Sequence, residues 1–135
     1  MPSRAAVYSL LDDDAELKGV NIGIQAVLAS NSIDSPTERF FVVIRWEESV
    51  KAFKNKGANR LTVWVHTRDG DYTLVDKALE RIKDLLTSTI HRAGADGWTM
   101  TLAEWNSDST DLIDGGFGTL TRNSDYTVVS RYTMA

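Results

Sequence analysis

The chain has 135 residues, a net charge of −4 and no cysteine. That length predicts one domain over residues 1–135, large enough to fold without a metal or a disulfide. The missing cysteines exclude a disulfide framework, a thiolate metal site and a cysteine nucleophile, and the acidity counts against a module whose main task is gripping nucleic acid. No apolar run approaches the ~18 residues that span a bilayer. The opening Met-Pro-Ser-Arg-Ala-Ala runs into Leu10-Leu11 and then Asp12-Asp13-Asp14, too soon acidic for a signal peptide. The expectation is a soluble protein with no secretion address and no membrane contact.

In chain order, Ser3 is a plausible N-cap, and Ala6, Val7, Leu10 and Leu11 share one helical face. Asp12, Asp13 and Asp14 end that helix, since carboxylates are unfavourable at the negative end of its dipole. Over residues 17–35, Leu17, Val20, Ile22, Ile24 and Val27-Leu28 predict one short strand or two, interrupted by Gly19 and Gly23. Residues 39–47 form the clearest strand. Phe40, Val42, Ile44 and Trp46 lie on one face and Phe41 and Val43 on the other, a central strand covered on both sides by helices or by a neighbouring subunit. Residues 60–67 alternate as a half-buried strand, with Leu61, Val63 and Val65 opposed by Thr62, Trp64 and His66.

Residues 49–59 between these strands are predicted as a basic loop. It carries Lys51, Lys54 and Lys56, has Phe53 at its middle, and is expected to reach a partner or to stay solvated. After the turn at Arg68-Asp69-Gly70-Asp71, Thr73 caps the main helix with Asp76 in a box-like position. Val75, Leu79, Ile82, Leu86 and Ile90 form its stripe, and Gly94 stops it. Trp98, Met100 and Leu102 share a face of a further strand. Residues 106–116 are a polar loop, and a last strand returns by Tyr126, with Phe117 to Arg122 as its beginning before a bulge. The fold class predicted is α+β: a single, mainly antiparallel sheet with one long helix and one short N-terminal helix packed on it, in the order α-(β)-β-β-α-β-β.

Chemistry is hard to find. His66 lies in a strand and His91 in the last helical turn, and neither has the spaced partner of a zinc helix. Asp69, Asp71, Thr73 and Glu80 imitate a calcium loop, but Leu74 stands where its glycine is required. Asp108, Asp111 and Asp114 sit where loop aspartates usually make turns. Gly115-Gly116-Phe117-Gly118 lacks the Lys-Ser/Thr of a phosphate loop, and no serine has a nucleophile-elbow context. No catalytic residue, metal or cofactor is predicted. Trp46, Trp64, Trp98 and Trp105 all fall on predicted strands, where core and assembly surface compete for aromatics.

Two stretches, LTVWVHTRDGDYTLVDKALERIKDLL and AEWNSDSTDLIDGGFGTLTRNSDYTVVSRY, resemble the tail-terminator (tail-completion) proteins of long-tailed bacteriophages, especially those of phages infecting mycobacteria and related actinobacteria. The residues carrying the resemblance are Trp105, Ser109, Asp111-Leu112, Asp114, Thr119, Arg122-Asn123 and Tyr126, with the opening Pro-Ser-Arg-Ala-Ala-Val-Tyr-Ser-Leu-Leu. The resemblance implies a virion protein made in the host cytoplasm that forms a ring, usually of six copies, at the head-tail junction. Such a ring binds the tail tube protein, stops its polymerisation, meets the head-completion (stopper) protein, and lets double-stranded DNA pass without specific binding. Asp12 to Asp14, or the Asp111/Asp114 loop, are candidates for the lumen lining.

Three rivals stand beside this reading. One is a stopper or adaptor ring of the same connector. A small ligand-binding or enzymatic α+β domain would need a pocket of convergent polar groups. A nucleic-acid-binding accessory protein is disfavoured by the charge.

Overall fold

The computed structural model describes residues 3–29, 36–53 and 56–132, with backbone alone for 48–53 and 56–57. Within them run α1 (Arg4–Asp12), α2 (Ala15–Lys18), β1 (Ala26–Ala29), β2 (Phe40–Phe53), β3 (Lys56–Thr67), α3 (Thr73–Ser88), β4 (Arg92–Ala93), β5 (Trp98–Asp108), β6 (Leu112–Asp114) and β7 (Thr119–Tyr132). The strands make one sheet in the order β1-β2-β3-β7-β5-β4, with β6 pairing β7 off that path. Every pairing is antiparallel except β1 on β2, so the α+β, mainly antiparallel prediction holds.

One face of the sheet meets the helices. Val42 and Ile44 of β2, Leu61, Val63 and Val65 of β3, and Tyr126 and Val128 of β7 are buried there against α1 and α3. The predicted stripe of α3 packs as expected, with Val75, Ala78, Leu79, Ile82 and Leu86 buried. Each buried Val, Leu or Ile side chain contributes roughly 1.5–3 kcal/mol by leaving water.

The second face of β2 is also buried, with Phe41 fully and Val43 nearly covered. Among the described residues, what covers it is not a helix. The turn after β6 brings Phe117 edge-on to Phe41 at 5.8 Å, while His66 of β3 stacks on Phe41 at 4.9 Å. Arg68 ties this lid down, donating to the carbonyls of Phe117, Pro36 and Glu38. His66 is thereby buried, so β3 is covered on both faces near its end rather than half-buried.

Several expectations are corrected. The loop predicted over 49–59 is an extension of the β2–β3 hairpin, with Ser49 opposite Asn59, Lys51 opposite Ala58, Ala52 opposite Gly57 and Phe53 opposite Lys56. Two register shifts between Trp46 and Lys51 break the period-two pattern, which is why sequence alternation stops at the bulges while pairing goes on. Lys54 lies outside the described residues. Leu17 belongs to the short helix α2, with Asp14 as its cap, and among the described residues of that region the strand is β1. Ser3 occupies the N-cap position of α1, as expected, but its hydroxyl makes no capping bond; at φ 61° it shares a buried hydrogen bond with Ser130 of β7 instead.

The main helix stops at Ser88, not at Gly94, because the run Thr87-Ser88-Thr89-Ile90 is a poor helix former. The hydroxyls of Thr87, Ser88 and Thr89 turn back onto the carbonyls of Lys83, Asp84 and Leu85, and Thr89 is already extended. Ile90 is consequently exposed, and His91 lies beyond the helix. At the other end Thr73 is the first helical residue rather than the cap: Tyr72 holds the N-cap position, and Asp71 before it accepts from the Thr73 N–H at 2.8 Å. Leu102 does not share the face of Met100. A bulge between them puts Met100 and Ala103 inward and leaves Leu102 exposed. β7 runs unbroken from Thr119, so the predicted bulge before Tyr126 is absent from it.

Candidate functional site

The family resemblance spans β3–α3, the β5–β6–β7 edge and the N-terminal helix; its residue pattern from Trp105 to Tyr126 lies on the β5–β6–β7 edge, and most of those residues build the fold. β5 and β6 both run antiparallel to β7, on consecutive stretches of it, so they form one interrupted path kinked at residues 109–111. Ser109 bridges the gap: its N–H donates to the Asn123 carbonyl at 2.8 Å, and its hydroxyl accepts from the Asn123 N–H at 3.0 Å. Arg122 clamps the kink. Its Nε and one terminal nitrogen donate to the Ser109 carbonyl at 3.2 and 3.0 Å, and the other terminal nitrogen reaches Asp76 of α3 at 2.5 Å. Asp111 stands 3.7 Å from the same guanidinium.

The neighbouring positions are equally committed. Trp105 donates to Asp108 at 2.8 Å and lies under the Lys83 ammonium, 3.8 Å from its ring centre. Burial works against the Asp108 carboxylate, but hydrogen bonds from Ser124 and Trp105 outweigh it and hold its pKa below the ordinary value. The Leu112 carbonyl accepts from the Tyr72 hydroxyl at 2.7 Å, and Asp114 accepts from the Phe117 N–H at 3.0 Å. The Thr119 hydroxyl meets His66 Nδ1 at 2.8 Å, and Tyr126 is fully buried. Burial first, with the nearby Arg68 adding to it, pushes His66 down to about 4, so its imidazole is neutral at pH 7.

The three aspartates at the end of α1 are each engaged within the chain. Asp12 pairs with Lys18 at 2.6 Å and Asp13 with Arg92 at 3.5 Å. Asp14 accepts from two Arg81 nitrogens at 2.9 and 2.8 Å while capping α2 through the Leu17 N–H. The Arg81 hydrogen bonds hold its carboxyl below the usual range. Asp13 keeps the most exposed carboxylate of the three, at 70%.

The calcium-loop imitation dissolves in the same way. Asp69 pairs with Arg39 at 2.6 Å and Asp71 accepts from the Thr73 N–H. Among the described residues no group of three or more His, Asp or Glu could hold a metal ion, and no helix is long and apolar enough to cross a membrane.

A surface feature not anticipated from the sequence is an open groove of about 520 Å³ between the α2 turn and the outer face of α3. Glu16, Asn21 and Ile22 form one wall, and Asp76, Lys77, Glu80, Arg81 and Asp84 the other. The i, i+4 spacing of Asp76, Glu80 and Asp84 was legible as an exposed helical row. The opposing wall was not, because it depends on where α2 lands.

No protein-family model and no curated protein matches this sequence. The fold does have counterparts among solved structures. A chain from the virion of a native gene transfer agent (GTA) particle superposes with a TM-score of 0.74 over 96% of this chain and 95% of its own, at 14% identity. A second solved structure reaches a TM-score of 0.60 over 98% of this chain and 94% of its own, at 12% identity. The shared property is the fold.

Proposed function

We propose that this chain is a structural protein of a phage-type virion and acts as a tail terminator. Six copies close head to tail into a ring on the tip of the tail tube, stop further addition of tube protein, and present a surface to the head-completion protein. DNA passes through the lumen without being held. The observation that carries the reading is the fold shared over nearly the whole chain with a chain of a gene transfer agent virion. The tail-terminator resemblance of the β5–β7 segment and of the N-terminal helix narrows it from virion component to tail tip.

The physics of the role is compatible with the chain. A surface of 7252 Å² leaves room for two unlike patches of roughly 800 Å² each, the standard size per partner, and unlike patches generate rings. A net charge of −4 per copy disfavours retention of DNA. A lumen role for the acidic turn after α1 falls mainly to Asp13, and for the β6 region to Asp111, whose carboxylate is 64% exposed. The β2–β3 hairpin, with Lys51, Phe53, Lys54 and Lys56 in its sequence, is the proposed arm toward a partner.

The test is a particle preparation lacking this protein. The reading expects filled heads beside unjoined tails of irregular, excessive length, and addition of purified protein should restore joining. Uniform tails that still fail to join would assign the protein to the head side, as a stopper. Normal joined particles would reject a connector role altogether.

A further inference from the structure

The sheet has one long open edge. β4 covers β5 only at Thr99 and Met100, and β3 occupies the other side of β7. Among the described residues, β5 from Thr101 onward and all of β6 therefore have no strand beside them. Glu104 to Asp108 are exposed without a break. At about 3.3 Å per residue, Thr101 to Asp108 alone present roughly 25 Å of edge, with a row of backbone N–H and C=O groups toward water. Two bulges bend this edge, yet Leu102 to Trp105 between them keep regular register with β7. Leu102, Trp105 and Ile113 stand exposed along it, Ile113 at 79%. An edge that meets no partner is ordinarily kept short and clear of large apolar side chains.

Charge says what kind of partner fits. Residues 93–121 hold Asp96, Glu104, Asp108, Asp111 and Asp114 and no Lys, Arg or His. That segment carries −5 against −4 for the whole chain, so the remaining residues sum to +1. The acidity of the protein is thus gathered on this one stretch. Two cations from other elements reach it: Lys83 lies over Trp105, and Arg122 is held by Ser109 and Asp76. Glu104 forms no ion pair among the described residues, and the Asp111 carboxylate is 64% exposed. Two such edges brought together would set carboxylate against carboxylate, which disfavours pairing with the same edge of a second copy. DNA carries the same sign and is disfavoured as well.

We propose that the β5–β6 edge is a strand-addition site for an extended, basic segment of a different virion protein. Main-chain hydrogen bonds to Leu102–Trp105 supply affinity, as in other cases of an added strand. Lys or Arg side chains of the partner meet Glu104 and Asp111, and its apolar side chains cover Trp105 and Ile113. The charges set register and speed encounter, while the apolar contacts hold the strand in place. This rests on the reading of the chain as a virion component and does not require a ring. It makes Asp111 a contact residue and leaves Asp13 as the lumen candidate.

The chain has no cysteine, so Thr110→Cys takes a single benzophenone maleimide in the exposed kink between β5 and β6. The labelled full chain is added to a particle preparation lacking the native protein, and the resulting particles are purified and irradiated. The expected product joins this chain to a different virion protein, through a peptide with more Lys and Arg than Asp and Glu. Adding Glu104→Lys/Asp111→Asn should cut its yield at least tenfold. Glu104→Lys alone, at an exposed position, should cut it about threefold, and circular dichroism melting checks that each variant keeps its fold. Crosslinks only to a second copy, only to a neutral or acidic segment, or to nothing would overturn the assignment. A yield indifferent to charge reversal would overturn it too. If the unmodified protein does not enter particles at all, the virion reading beneath it fails instead.

Discussion

Replacing Arg122 by Met keeps the aliphatic stem and removes the fork that closes the β5–β6 kink. The Ser109 carbonyl then loses two donors, at 3.2 and 3.0 Å, in a part-buried position. Hydrogen bonds from a charged donor contribute about 1.5–3 kcal/mol. The ion pairs add less. Asp76 and Asp111 are 53% and 64% exposed, so water screens them and each is worth no more than about 0.5 kcal/mol. The expected loss is about 2–3 kcal/mol, seen as a drop in urea midpoint at unchanged slope and a fall in Tm of about 10 °C. Arg122→Lys should recover little, because a single ammonium cannot reach Ser109 and Asp76 together. A stability within about 0.5 kcal/mol of wild type for Arg122→Met would refute the claim that this segment is built for the fold. Its family-like residues would then need an intermolecular explanation.

Other consequences can be measured on the isolated protein. Ile82→Asp or Leu79→Asp should abolish cooperative folding, since each puts a carboxylate into the buried stripe of α3; a soluble variant with a sharp melt would show that this face is not core. His66 binds its proton less readily folded than unfolded, so stability should fall as pH drops from about 6.5 toward 4, by about 3 kcal/mol in all. His66→Phe should flatten that window, and a titration of His66 near pH 6.5 by NMR would contradict the burial. Gly94→Ala should destabilise by roughly 1–3 kcal/mol, because its new Cβ would stand 3.0 Å from the Ala6 nitrogen and 3.1 Å from the Trp98 oxygen. An unchanged urea midpoint would mean that this backbone gives way more easily than its packing suggests.

The sequence declared most of the architecture through periodicity, and it failed where backbone irregularity or partner choice decides. The alternation of residues 40–46 and 61–65 and the stripe from Val75 to Leu86 translated directly into a sheet and a helix across one core. Bulges hid the rest of the hairpin and reversed Leu102, because one inserted residue exchanges the two faces. The second buried face of β2 was legible, but its cover was not, since Phe117 arrives from a turn 76 positions later than Phe41. Asp14 shows the same limit: its role as cap and Arg81 partner depends on α2, a helix too short to leave a periodic signal. The candidate groove inherits that difficulty, since one wall is a readable helical row and the other is a turn placed by tertiary packing.

Symmetry at the tail tip tests the central claim most directly. Electron cryomicroscopy of tails bearing this protein should resolve a sixfold ring of it seated on the last ring of tube protein, with an open lumen wide enough for duplex DNA. A two-fold dimer as its sole form on and off particles, or a tail tip devoid of it, would contradict the account.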